Sequence, residues 1–150
     1  MSDHFLVVIP ADPDADLPDT AEDLREALAK LTEASESAVK DYGKLKFIDA
    51  GENFERVGCP SCGHTFTTPE WHAWMNADWH DEDGFHLHTH TAPCCGTRMT
   101  LNDLIYEWPQ GFARWFVSAR NMGRGPLTDD EVGALERVAG LRLKAIAQMY

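Results

Sequence analysis

The apolar positions of this chain fall into short runs and helical repeats. Residues 5–9 (F-L-V-V-I) form a continuous, largely β-branched run ending at Pro10, the pattern of a buried strand. Leu24, Leu28, Leu31, Ala34 and Ala38 recur at helical spacing behind Thr20 and Asp23, which predicts an amphipathic helix over residues 21–40. Residues 45–50 and 54–58 predict two strands joined as a hairpin through Gly51-Glu52-Asn53. Thr68-Pro69 opens a helix that runs to about residue 79. Residues 85–90 alternate as a strand, Thr100 with Asp103 starts a short helix that Pro109 ends, and residues 112–119 read as another strand. Thr128 and Glu131 form a capping box for a helix over 129–139, closed by Gly140. Residues 141–149 alternate as a last strand, with a helix as the alternative because Ile146 breaks the alternation.

Hairpins mixed with single crossovers predict an α+β fold: a mixed or mainly antiparallel sheet, helices packed on it, and a zinc-ribbon-like insertion over residues 59–96. The length of 150 residues suits one domain. Hydrophobic residues at 43% and charged residues at 25% exclude a disordered or fibrous chain. Lys and Arg number 13 against 25 Asp and Glu, a net charge of −12. That balance repels phosphate backbones and argues against nucleic acid; it reads as a surface that provides solubility, with a basic partner protein as the second reading. No apolar run approaches the ~20 residues needed to span a bilayer. Residues 5–10 are too short for a signal-peptide core and follow no basic segment, so the expected compartment is the cytoplasm. There, four cysteines read as metal ligands or catalytic thiols before they read as disulfides.

The cysteines sit in two turns, Cys59-Pro60-Ser61-Cys62-Gly63 and Pro93-Cys94-Cys95-Gly96. Two residues between Cys59 and Cys62 let both sulfurs reach one ion, and the following glycine permits the tight turn. The second turn matches the first at its proline and its final Cys-Gly, but carries Ala92 where the first has Cys59. Cys59, Cys62 and Cys95 thus form three ligands of a Zn²⁺ site. Cys94 is the expected fourth, and His90 is the alternative because adjacent cysteines strain a tetrahedron. A redox role for Cys-x-x-Cys lacks a flanking thioredoxin-like pattern.

Six of the seven histidines lie from His64 to His90. His86, His88 and His90 alternate and would share one strand face, where an i, i+2 pair such as His86 and His88 can chelate a second metal. His72 and His80 would lie on one helix, opposite Trp71, Trp74, Met75 and Trp79, with Asp78, Asp81, Glu82 and Asp83 nearby. The competing reading is a solvated, histidine-rich surface, and the helix lacks the His-Glu-x-x-His pattern of metallopeptidases. The tryptophans read as core, and Arg114, Arg120 and Arg124 as surface partners of the acidic excess. No phosphate loop and no serine-hydrolase elbow occurs.

From Gly51-Glu52-Asn53-Phe54-Glu55-Arg56 through the two cysteine turns to Asn102-Asp103-Leu104 and Trp108-Pro109-Gln110-Gly111-Phe112-Ala113-Arg114, the chain resembles a family of short uncharacterised bacterial zinc-knuckle proteins. The resemblance covers residues 51–114 and implies that the two cysteine turns belong together. Some members carry transporter-ATPase labels, which the missing phosphate loop makes untenable here. The expectation for function is a zinc-stabilised cytoplasmic binding protein of immunity or regulatory type. The alternative is a metal-dependent hydrolase with a second, histidine-rich site.

Overall fold

A computed structural model describes residues 3–150. In chain order the elements are β1 (His4–Pro10), α1 (Ala21–Thr32), β2 (Ser37–Ile48), β3 (Arg56–Gly58), β4 (Thr65–Phe66), α2 (Thr68–Asp78), β5 (His90–Thr91), β6 (Arg98–Met99), β7 (Ile105–Glu107), β8 (Gly111–Arg120), α3 (Asp129–Ala139) and β9 (Leu143–Met149). Single 3₁₀ turns cover Asp81–Asp83 and Leu101–Asp103. The strands form three sheets with orders β2-β8-β1-β9, β4-β3-β7 and β5-β6, and all pairings between these strands are antiparallel. This is an α+β fold with antiparallel sheets, as the patterning predicts. No helix among the described residues is long and apolar enough to cross a membrane.

Helices α1 and α3 pack on one face of the large sheet. Leu24, Leu28, Leu135 and Ala139 meet Val8, Trp115, Val117 and Ala119 there, and a fully buried leucine is worth about 1.5–3 kcal/mol. Val7, Ile9, Ile48, Ala50, Ala113 and Ile146 form a second cluster. This accounts for the unbroken apolar run of β1, which is buried from Leu6 to Ile9. A third cluster fills the region of the small sheets, with Val57, Cys59, Phe66, Trp71, Ala92, Met99, Leu101, Leu104 and Tyr106. It reaches the large sheet through Leu45 and Phe112.

Five expectations are corrected, the first being the short helix from Thr100 to Pro109, of which only the 3₁₀ turn Leu101–Asp103 forms before the chain extends into β7. The helix predicted over 21–40 ends at Thr32, where Glu33 turns left-handed at φ 54°. Residues from Ser37 onward pair instead with β8, from Ser37 opposite Ala119 to Ile48 opposite Gly111, because long-range pairing outweighs the continued helical spacing of Ala34 and Ala38. Thr20 does not cap α1 through its side chain; its hydroxyl donates to the Ala139 carbonyl at 2.8 Å and ties α1 to α3. The hairpin of 45–50 with 54–58 is absent, since β2 belongs to the large sheet and β3 pairs with β4 and β7. The strand over 85–90 shrinks to His90–Thr91, because the Asp78 carboxylate takes the backbone N–H groups of His86, Leu87 and His88. The capping box of α3 and its Gly140 terminus stand as read, and α2 opens at Thr68-Pro69 behind a capping box of Thr67 and Glu70 that the patterning did not predict.

A bulge in β2 positions everything that follows. Pairing with β8 is interrupted between Asp41 and Lys46. The freed Leu45 carbonyl accepts from Phe85 N–H at 2.9 Å, and the Gly43 carbonyl accepts from Arg114 at 2.8 Å. The segment after α2 is thereby hung on the edge of the large sheet.

Candidate metal centres

Each cysteine turn is held by the same two backbone hydrogen bonds. In the first, Cys59 N–H donates to His64 O at 2.8 Å and Gly63 N–H to Cys59 O at 3.0 Å. In the second, Ala92 N–H donates to Thr97 O and Gly96 N–H to Ala92 O, both at 2.8 Å. Gly63 and Gly96 take φ of 77° and 72°, a conformation that disfavours side chains. Short strands flank both turns: β3 and β4 the first, β5 and β6 the second. Ala92 therefore occupies the place of Cys59, and Cys95 that of Cys62. The vacancy noted in the sequence is a structural one, and Ala92 is buried in it.

Cys94 supplies the fourth sulfur. Cys59 Sγ and Cys95 Sγ lie 3.7 Å apart, Cys62 and Cys94 3.4 Å, and Cys94 and Cys95 3.9 Å. All four sulfurs lie within 4.8 Å of one another. A tetrahedron with metal–sulfur bonds of about 2.3 Å has sulfur–sulfur edges of about 3.8 Å, so the spacing fits one ion. Cys59 is buried and the other three lie at the surface. The backbone amides of Cys62 and then Ser61, with the Cys94 and Cys95 thiols, hold the Cys59 thiol down to about 6. Cys94 is pushed up to about 12, first by desolvation and then by hydrogen bonding with Cys62, Cys59 and Cys95. Four thiolates at this spacing repel one another unless a cation lies between them. The four cysteines are thus a group able to hold a metal ion.

His90 stands outside this group. It pairs in β5 with Met99, its ring lies 6.5 Å from that of Trp74, and its buried Nε2 has no partner.

A second group joins His80, His86 and His88, whose ligand atoms also lie within 4.8 Å of one another. His80 Nε2 and His88 Nε2 are 2.8 Å apart, and the rings of His80 and His86 stack at 3.9 Å. All three are exposed. His86 and His88 border a groove of about 790 Å³ that Lys44, Glu82, Asp83 and Arg114 also line. His86 and His88 come together, as the sequence suggests, but by a different route. Helix α2 ends at Asp78, so His80 leaves the helix face it was expected to share with His72, which stays exposed on α2.

The organiser is Asp78, which the sequence presents as one acid among several. It is fully buried. Its Oδ2 accepts from His86 N–H at 3.0 Å and Leu87 N–H at 2.8 Å, and its Oδ1 from His88 N–H at 2.6 Å. A buried carboxylate needs such donors to offset desolvation. These bonds hold Leu87 at φ 55°, which breaks the strand and turns His86 and His88 toward His80. Gly84, at φ 76°, lies against Leu45 where a Cβ would strike the Leu45 carbonyl oxygen. His80 N–H donates to Gly84 O at 2.8 Å and closes the loop. Only the cluster of histidines signalled this centre in the sequence; the buried carboxylate beneath it carried no local mark. The acid-pairing role expected for the arginines is observed, with Arg114 on Asp16, Arg120 on Asp3 and Glu36, and Arg124 on Glu131. Comparison with family models, curated proteins and solved structures finds no match to this chain.

Proposed function

We propose that this chain is a zinc-stapled binding module that recognises a basic partner protein. The carrying observation is the closed set of four sulfurs. Four thiolates satisfy a tetrahedral ion completely and leave no position for water or substrate, which suits a structural Zn²⁺. The ion would tie Cys59 and Cys62 to Cys94 and Cys95 and so join two hairpin turns, in the manner of a zinc ribbon, beside the third apolar cluster. The net charge of −12 supports a basic partner and opposes nucleic acid. Thiols kept as ligands suit a reducing compartment, and the cytoplasm is the one this reading assigns. Metal analysis of protein purified under reducing conditions tests the staple. About one zinc per chain, retained through dialysis and lost in Cys59→Ser, is expected. Protein that folds with no bound metal would overturn it, and salt-sensitive binding to DNA or RNA would overturn the partner class.

A metal-dependent hydrolase is the second reading. The three clustered, exposed imidazoles favour it, since two of them, His86 and His88, border the groove. It requires hydrolysis of an activated ester that disappears in His88→Ala while the thiolate metal is retained.

A further inference from the structure

The geometry points to a second, open metal centre built from His80, His86 and His88, taking a late divalent transition ion such as Zn²⁺. It shares no residue with the thiolate staple and does not depend on either functional reading.

Three observations carry it. The first is the donor set. Three imidazoles lie in mutual contact, with two Nε2 atoms at 2.8 Å, although Asp81, Glu82 and Asp83 are adjacent in sequence. Among the described residues no carboxylate makes a salt bridge to any of these rings. Ordinary surface histidines gain from pairing with acids; these face one another. An ion with metal–nitrogen bonds of about 2.05 Å spaces its tetrahedral nitrogens about 3.3 Å apart, so His80 and His88 need separate by only a few tenths of an ångström. Imidazole-only sites suit zinc, copper and nickel, and exclude magnesium and calcium.

The second observation is preorganisation. Positive φ at Leu87 is a conformation that disfavours a residue with a side chain, and a buried carboxylate is committed to hold it. A surface loop with no task has no need of either. Asp78 acts here as a positioning residue: it touches the backbone amides of two of the ligands and fixes where their rings stand.

The third is openness. Three neutral ligands leave the charge of the ion intact and one coordination position free. With all three rings exposed and two of them bordering the groove, that position is accessible to a water or to a ligand entering the groove.

The test is Zn²⁺ titration of the full chain already carrying its thiolate metal, followed by equilibrium dialysis. A second equivalent of zinc is expected, with the Hε1 resonances of His80, His86 and His88 shifting together. His80→Ala and His88→Ala should each weaken that equivalent by more than about tenfold, and Asp78→Asn by about ten- to a hundredfold. In cobalt-substituted protein, the thiolate-to-metal absorption should stay unchanged in the histidine variants. This shows that they fold and keep the staple. A wild-type chain that takes up no second equivalent overturns the proposal. So does a second equivalent that the His80→Ala, His88→Ala double variant retains, or one that leaves the three imidazole resonances unmoved.

Discussion

Asp78 and Glu131 are both acids near the end of a helix, yet they do opposite kinds of work. Asp78 is buried and faces only backbone N–H groups, eight to ten residues farther along the chain. Asp78→Asn leaves one acceptor oxygen for three donors and aims an amide N–H at another. A loss of about 2–3 kcal/mol in urea unfolding is expected, with exchange of the His86, Leu87 and His88 amides accelerated most. Glu131 lies at the start of α3. The Arg124 guanidinium first, then the Thr128 backbone amide, hold its carboxyl down to about 2 from an ordinary 4.5. A carboxyl lowered on folding contributes stability that is fully present above the unfolded value and lost as pH falls through the folded one. Wild-type stability should therefore drop between about pH 4.5 and pH 2, by on the order of 1 kcal/mol after solvent screening. Glu131→Gln should remove that component from a stability-versus-pH series. The Glu131 pattern was legible because its cap partner sits three residues away. The role of Asp78 was not, because its partners are backbone atoms that only the folded loop delivers.

At the scale of elements, the two cysteine turns are one device used twice with different side chains. Their matched hydrogen bonds place Ala92 where Cys59 stands, and Cys94 makes up the missing sulfur from the third position of its turn. Cys94→Ser should weaken metal binding, read by competition with a chromophoric chelator. Adding Ala92→Cys should restore much of it, since a thiol then returns to the first position. The repeat of Pro and Cys-Gly made this pairing readable from sequence, and the spacing left only the fourth ligand open between Cys94 and His90. Elements whose identity depends on distant partners were less readable. Ala38 continues a helical spacing but answers to Ser118 across the sheet. His86 and His88 keep the period of a strand, but Asp78 turns them out of it.

For the whole molecule, the third apolar cluster couples the cysteine corner to the large sheet through Leu45 and Phe112. On the proposed zinc staple, a strong chelator that strips its metal should first release the small sheets. Amide exchange would rise in β3 to β6 while β1 and β8, buried between the other two clusters, stay protected. Exchange that rises equally in β1 would place the staple in the main core instead. The layered α+β architecture was legible from the periods of the apolar positions. The division into three sheets was not, because it depends on which strands meet, and β3 finds β7 about fifty residues downstream instead of its neighbour β2.

The interruption of β2 between Asp41 and Lys46 has a consequence for encounters between chains. β2 is an outer strand of the large sheet, and a flat outer strand invites a stranger to extend the ladder. Here the ladder is kinked, Leu45 already spends its carbonyl on Phe85, and Lys40, Lys44 and Lys46 line the strand with charge. At the opposite margin the Met149 carbonyl is taken by Glu52 N–H at 2.7 Å. The same irregularity that seats the histidine loop thus resists sheet growth, and straightening β2 would invite aggregation along that flank.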